Sequence, residues 1–231
     1  MLLASQGGTA VSMPPVLTVQ YVGGYWHGCR WSHRSTLHQR KLIVCNIISV
    51  DGFYSGPNDD VMAMPFDVTF SDYNAERLRA ADTLLLGRRS FEGFQSYWPS
   101  VADDVDAPPV EREISRLNNA IDKVVVSDSL TDADLDPWTD TRIVRRADAH
   151  DAIAELKRSE GREILMFGSH VLWNDLLTAG LVDELHLMIG SAFLGNGVPV
   201  FDGPRTGLRL LEARVLDNSQ LILARYAAAD A

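Results

Sequence analysis

Twice the chain runs a short apolar strand into a glycine and straight on into a helix: Thr83-Leu84-Leu85-Leu86-Gly87-Arg88-Arg89-Ser90, then Ile164-Leu165-Met166-Phe167-Gly168-Ser169-His170. This repetition constrains the fold most, because strand-to-helix units return to a sheet as parallel neighbours. Each junction also has chemical content. The first amides of a helix lack carbonyl partners, and a glycine beside them lets an anion approach the main chain closely. Two such corners suit a ligand with several phosphates.

The pattern around the corners agrees with them. Residues 42–50 read as a buried strand, followed by a turn at Asp51-Gly52 and a loop containing Ser55-Gly56-Pro57-Asn58. A helix is expected near residues 71–80, and Pro108-Pro109 opens another with Val110, Ile114 and Leu117 on one face. Residues 123–127 form the next strand. Asp148 and Asp151 can cap a helix bearing Ile153 and Leu156, and the helix after the second corner stops at Gly180. Leu185, Leu187 and Ile189 alternate with Glu184, His186 and Met188, the signature of a half-buried strand, and residues 211–226 read as a hairpin turning at Asp217-Asn218. Together these units describe an α/β fold: a mixed, mostly parallel central sheet with flanking helices and a C-terminal antiparallel hairpin.

With 46% hydrophobic and 23% charged residues the chain has an ordinary globular composition, which argues against wholesale disorder. Its formal charge of -10 opposes nucleic acid and anionic membrane as partners, so an anionic ligand must be held by a local basic cluster. Cys29 and Cys45 are too few for a disulfide framework, and no apolar run is long enough to span a bilayer, which points to a cytoplasmic setting. Residues 1–40 differ from the rest: they contain Arg30, Arg34 and Arg40 but no acid, with glycine pairs and Pro14-Pro15. They read as a flexible, disordered extension ahead of one domain at 41–231. His27, His33 and His38 lie in that extension without thiol or carboxylate partners, so no metal site is expected.

At the first corner Arg88 and Arg89 suit the 2′-phosphate of NADPH, with Ser90 and the free amides placed for the pyrophosphate; the alternative is a plain strand-to-helix corner with solvated arginines. Ser127 ends the next strand, either adding a hydroxyl to that phosphate or serving its own turn. Ser169 is either a ligand of the second anion or a helix N-cap. Ligands of open α/β sheets bind beyond the carboxyl ends of the strands, so both corners and Ser127 are expected to share one cleft. The strand at residues 42–50 is not followed by a G-x-G-x-x-G fingerprint, which disfavours the common dinucleotide-binding architecture.

Ser49-Val50-Asp51-Gly52, Leu86-Gly87-Arg88-Arg89-Ser90, Phe167-Gly168-Ser169, Gly180-Leu181-Val182-Asp183-Glu184-Leu185 and Leu194-Gly195-Asn196-Gly197-Val198-Pro199-Val200-Phe201 occur in an order that resembles the dihydrofolate reductase-like superfamily. Within it the chain is most similar to stand-alone members resembling the C-terminal reductase domain of the bacterial riboflavin biosynthesis protein RibD, over about residues 41–226. The resemblance implies an NADPH-dependent reductase, commonly a homodimer, that transfers hydride to a C=N or C=O group of a small heterocycle. It also assigns residues. Gly87, Arg88, Arg89 and Ser90 match the adenosine-side phosphate motif, Ser127 the strand end beside it, and Gly168, Ser169, His170, Val171 and Leu172 the pyrophosphate and nicotinamide-side turn. Asp51 falls at the mouth of the family's active site, as a substrate-orienting or proton-relaying group or as an ordinary Asp-Gly turn. Asp67, after Met64-Pro65-Phe66, is a second candidate acid, although the spacing beyond it departs from true dihydrofolate reductases. Other readings are the pyrimidine reductase step of riboflavin synthesis, a dihydrofolate reductase, and a catalytically silent NADPH-binding protein. The deaminase half of a bifunctional enzyme is missing, since no Pro-Cys-x-x-Cys exists.

Overall fold

Eight strands form the central sheet of the computed structural model, which describes residues 39–228. In chain order the elements are β1 (Leu42–Ile48), β2 (Phe53–Ser55), α1 (Val68–Ala80), β3 (Ala81–Gly87), α2 (Arg88–Val101), α3 (Pro109–Ala120), β4 (Asp122–Val126), β5 (Arg142–Val144), α4 (Ala149–Arg158), β6 (Glu163–Phe167), α5 (His170–Thr178), β7 (Glu184–Ile189), β8 (Val198–Pro199), β9 (Leu208–Val215) and β10 (Ile222–Ala228). The strand order is β5-β4-β3-β6-β1-β7-β10-β9. All neighbours are parallel from β5 to β7, and β10 and β9 close the sheet as an antiparallel hairpin. The fold is the mixed, mostly parallel α/β architecture with a C-terminal antiparallel hairpin expected from the sequence.

Strands buried on both faces read as continuous apolar runs, and β1 supplies both layers of the core. Ile43, Cys45 and Ile47 pack with Tyr73, Leu78, Phe91 and Ile114 from α1, α2 and α3, while Leu42, Val44 and Ile48 pack with Ile153, Trp173 and Leu176 from α4 and α5. Helices therefore cover opposite faces. The chain leaves β3 through α2 on one face and leaves the adjacent β6 through α5 on the other. A crevice must open between two neighbouring strands whose exits diverge in this way, at their carboxyl ends.

Four local expectations are corrected. Helix α1 begins at Val68 rather than near residue 71, because Asp67 caps it, Oδ1 accepting from Phe70 N–H at 3.0 Å. Asp148 precedes α4, but its side chain makes no capping bond. Strand β7 is buried on both faces: its polar side is sealed by a network in which Lys41 and Arg225 donate to Glu184 at 2.7 and 2.9 Å, and His186 lies 2.9 Å from Tyr73 Oη. Arg40, counted with the extension, is buried; its main-chain N–H donates to Lys157 O, its guanidinium to Arg162 O and Thr83 Oγ1, and it pairs with Asp82. The three histidines at 27, 33 and 38 lie outside the described residues, as does the rest of the N-terminal segment through 38.

Candidate active site

Both glycine corners open into one cleft of about 1590 Å³ at the carboxyl ends of β1, β3, β4 and β6. Residues 87–90, Ser127 and residues 168–172 all line it. The corners are bonded to each other: Gly87 N–H donates to Ser169 Oγ at 2.9 Å, and Ser169 N–H donates to Ser90 Oγ at 2.7 Å. Gly168 N–H donates to Asn46 Oδ1 on β1 at 2.8 Å, so three strands converge on one point.

The backbone explains why glycine stands there. Gly168 has φ +56, and a Cβ on it would lie 2.8 Å from Ser90 Oγ and 3.2 Å from Tyr54 Oη. Ser169 follows with φ 54, and its hydroxyl donates to Phe167 O instead of capping α5. The N-cap reading of Ser169 is thus replaced by a stitch between corners. Gly87 has no side chain to cap α2. Two helix N-termini therefore reach the cleft without a side-chain cap, where their first-turn amides and dipoles favour an anion.

The basic groups nearby are already paired. Arg88 holds Glu92 at 2.9 Å, Arg89 holds Asp59 at 2.5 Å, and Arg146, which also lines the cleft, lies 3.8 Å from Asp128. All three pairs are exposed, and such pairs contribute only about 0–1 kcal/mol. A phosphate carrying roughly -1.5 to -2 charge can displace or share them. Ser127 Oγ accepts from the Ser129 and Leu130 amides at 3.2 and 3.0 Å, so its hydroxyl serves the turn even though it borders the cleft. Arg145 donates to Ser127 O and Leu130 O and holds that same turn.

Neither proposed acid lines the cleft. Asp51 accepts from Ser49 Oγ at 2.7 Å, from Leu194 N–H at 3.1 Å and from Gly195 N–H at 2.8 Å. The Ser49 hydrogen bond, with those two amides, holds its carboxyl below the usual carboxylate range, the opposite of what a proton donor needs. Asp51 is a clamp between its turn and the 194–195 loop. Asp67 is occupied by Phe70 N–H and by Ser219 Oγ, which donates at 2.6 Å, so it ties α1 to the C-terminal hairpin.

Other groups take their place in the cleft wall. Tyr54, on β2, lines the cleft 5.0 Å from the His170 ring, and burial followed by the Asp59 charge pushes its hydroxyl up to about 12. It stays protonated, a donor. His170 Nε2 donates to Pro199 O at 2.8 Å on β8, which pairs with β2 and brings Tyr54 over the second corner. Asn46 keeps Nδ2 buried and without a partner among the described residues. The chemistry of a dinucleotide fits this wall: two uncapped helix starts, exchangeable guanidinium groups, a corner that admits no Cβ, and an amide N–H to spare.

Residues 40–222 match the family model of the RibD C-terminal domain, a reductase family, and the chain belongs to it. The chain is similar to the uncharacterised protein YyaP of Bacillus subtilis (strain 168), with 29% identity over 188 residues, 80% of this chain and 93% of that protein. Among solved structures, a pyrimidine reductase-like protein of Corynebacterium diphtheriae shares 17% identity at a TM-score of 0.54, covering 84% of this chain and 94% of its own. A dihydrofolate reductase from Enterococcus faecalis, complexed with NADP(H), shares 15% identity at a TM-score of 0.51, covering 83% and 98%. Among the described residues no helix is long and apolar enough to cross a membrane.

Proposed function

We propose that this chain is an NADPH-dependent reductase acting on a C=N or C=O bond of a small ring substrate. The observation that carries the reading is the stitching of two uncapped helix N-termini into one cleft with Arg88, Arg89 and Arg146 at its rim. The amides of α2 and α5 bind the phosphates, Arg88 and Arg89 exchange Glu92 and Asp59 for the 2′-phosphate, and Asn46 Nδ2 and Tyr54 Oη orient what lies beside Gly168. When bound, the dihydronicotinamide supplies the hydride. Tyr54 holds a proton at Oη, and the apolar wall opposite excludes water. The test is direct titration of NADPH and NADH into the protein and into an Arg88→Ala, Arg89→Ala variant, with NADPH oxidation followed against carbonyl and imine acceptors. An unchanged NADPH affinity in the variant removes the clamp. The riboflavin-pathway pyrimidine reductase is the family-level form of this reading, and the ribosylaminopyrimidine is its assay.

A silent NADPH-binding protein is the second reading, favoured by the location of Asp51 and Asp67 outside the cleft. Binding without oxidation against every acceptor class supports it. Assembly as a homodimer belongs to the same proposal: β9 is an edge strand with Leu208, Leu210, Leu211 and Val215 exposed, a surface suited to a second copy.

A further inference from the structure

The two ion pairs on the first turn of α2 differ in what they join. Arg88 and Glu92 stand four residues apart on the same helix, so exchanging that pair moves no other element. Arg89 reaches across 30 residues of chain to Asp59, on the loop that follows β2. Residues 57–62 of that loop are all exposed. Among the described residues, the other hydrogen bonds of 57–63 close within 56–64: Asp60 O accepts from Gly56 N–H at 2.8 Å, Asp60 Oδ1 from Met62 N–H at 3.0 Å and Val61 O from Met64 N–H at 3.2 Å. The polar tie between this loop and α2 is therefore one carboxylate laid on one guanidinium.

The tie holds an uncommon backbone. Asn58 and Asp59 have φ of 62 and 60, two successive residues in the left-handed region that L side chains seldom enter. Both line the cleft, and the Asp59 charge adds to the burial that raises the Tyr54 hydroxyl, so the carboxylate acts on the site and not only on solvent. A carboxylate on a guanidinium is a singly charged version of the contact that a phosphate makes there. A phosphate brings more charge and a third acceptor oxygen, and it repels the carboxylate it replaces.

We infer that Asp59 is a specificity-determining residue: it occupies Arg89 as an internal stand-in for the ligand's phosphate, so that a ligand bringing a phosphate there displaces it and releases residues 57–62, while one bringing only a hydroxyl leaves the loop tied. This role rests on the reductase reading for the phosphate at Arg89. Phosphate recognition on α2 and the order of the loop beside Tyr54 are then one event.

The test is calorimetric titration of the full chain and of Asp59→Asn with adenosine 2′,5′-bisphosphate, adenosine 5′-phosphate and inorganic pyrophosphate, alongside amide exchange of residues 57–63. The substitution keeps the shape and removes the charge. The variant should bind the bisphosphate about three- to fivefold more tightly than wild type, because the pair it breaks is exposed and weak, and bind adenosine 5′-phosphate with unchanged affinity. In an Arg89→Ala background most of that gain should vanish; a gain of the same size without Arg89 is a net-charge effect and overturns the inference. The bisphosphate should speed exchange in 57–63 of wild type, and the variant should exchange as fast without ligand. Unchanged or weaker bisphosphate binding in the variant, or protection of 57–63 by the bisphosphate in wild type, also overturns it. If the variant fails to fold, the exchange response of wild type decides. Pyrophosphate bound more tightly by the variant than by wild type, with neither protein preferring the bisphosphate to adenosine 5′-phosphate, keeps Asp59 as the internal anion and removes the NADPH reading. A wild-type preference for the bisphosphate with no gain in the variant does the opposite.

Discussion

Replacing Gly168 by alanine tests whether the second corner is built for close approach, and Gly180→Ala is its matched control. Both glycines lie in the left-handed region, at φ +56 and +71. An L side chain there costs roughly 1–2 kcal/mol, and both substitutions share the same gain from a stiffer unfolded chain. They differ in surroundings. Nothing lies within 4 Å of a Cβ at Gly180, whereas at Gly168 the new carbon sits 2.8 Å from Ser90 Oγ. Ser90 cannot turn aside freely, because its Oγ accepts the Ser169 amide at 2.7 Å. Releasing that amide leaves a buried donor unmade, worth about 1–3 kcal/mol. Gly168→Ala should therefore be less stable than Gly180→Ala by about 1–3 kcal/mol in urea denaturation, or roughly 2–12 °C in melting temperature for a chain of this size. NADPH affinity should fall about tenfold or more in Gly168→Ala, because the stitched amides move, and stay at the wild-type value in Gly180→Ala. Equal stability losses together with equal NADPH affinities would refute the account of the corner.

Three further outcomes are expected. Arg88→Ala and Arg89→Ala together should weaken NADPH by about 10–100-fold while changing NADH much less, since charge-assisted bonds to the 2′-phosphate contribute about 1.5–3 kcal/mol; parallel titration of both dinucleotides checks this. Burial raises Glu184, but hydrogen bonds from His186, Lys41 and Arg225 outweigh it and bring the carboxyl from 4.5 down to about 2. A carboxyl held low when folded stabilises fully above its unfolded value, so this contribution should be lost as pH falls from about 4.5 toward 2, and Glu184→Gln should flatten that part of the acid-unfolding curve. Leu210→Lys, on the exposed edge of β9, should shift light-scattering mass toward the monomer with little change in melting temperature, and an unaltered dimer would move the interface elsewhere.

What the sequence disclosed, and what it hid, follows from the range of the interactions involved. The corners were legible because a strand, a glycine and a helix start are contiguous: residues 83–90 and 164–170 each carry their own local reason to fold as they do. Their convergence was legible too, since parallel strands whose helices leave on opposite faces open a crevice where they end. Strand β7 was misread because Glu184 and His186 look like a solvent face until Lys41, Tyr73 and Arg225, all remote in the chain, supply their partners. Strands β2 and β8, of three and two residues, are too short to show a period, so Tyr54 read as part of a loop.

The two acids expose a different limit. A motif states which residue stands at a position but not where its lone pairs are spent, and the lone pairs decide between catalysis and scaffolding. Asp51 spends both oxygens on Ser49 and the 194–195 amides, and Asp67 spends both on Phe70 and Ser219, so the first clamps a loop and the second ties α1 to the C-terminal hairpin, and neither enters the cleft. Asn118 is the converse case: a residue that any helical pattern would pass over as a surface amide is buried with both polar atoms unspent. The carboxylates belong to the frame, whereas Tyr54 lines the cleft with a hydroxyl that burial keeps protonated, so a test of proton transfer starts from Tyr54 and not from either acid.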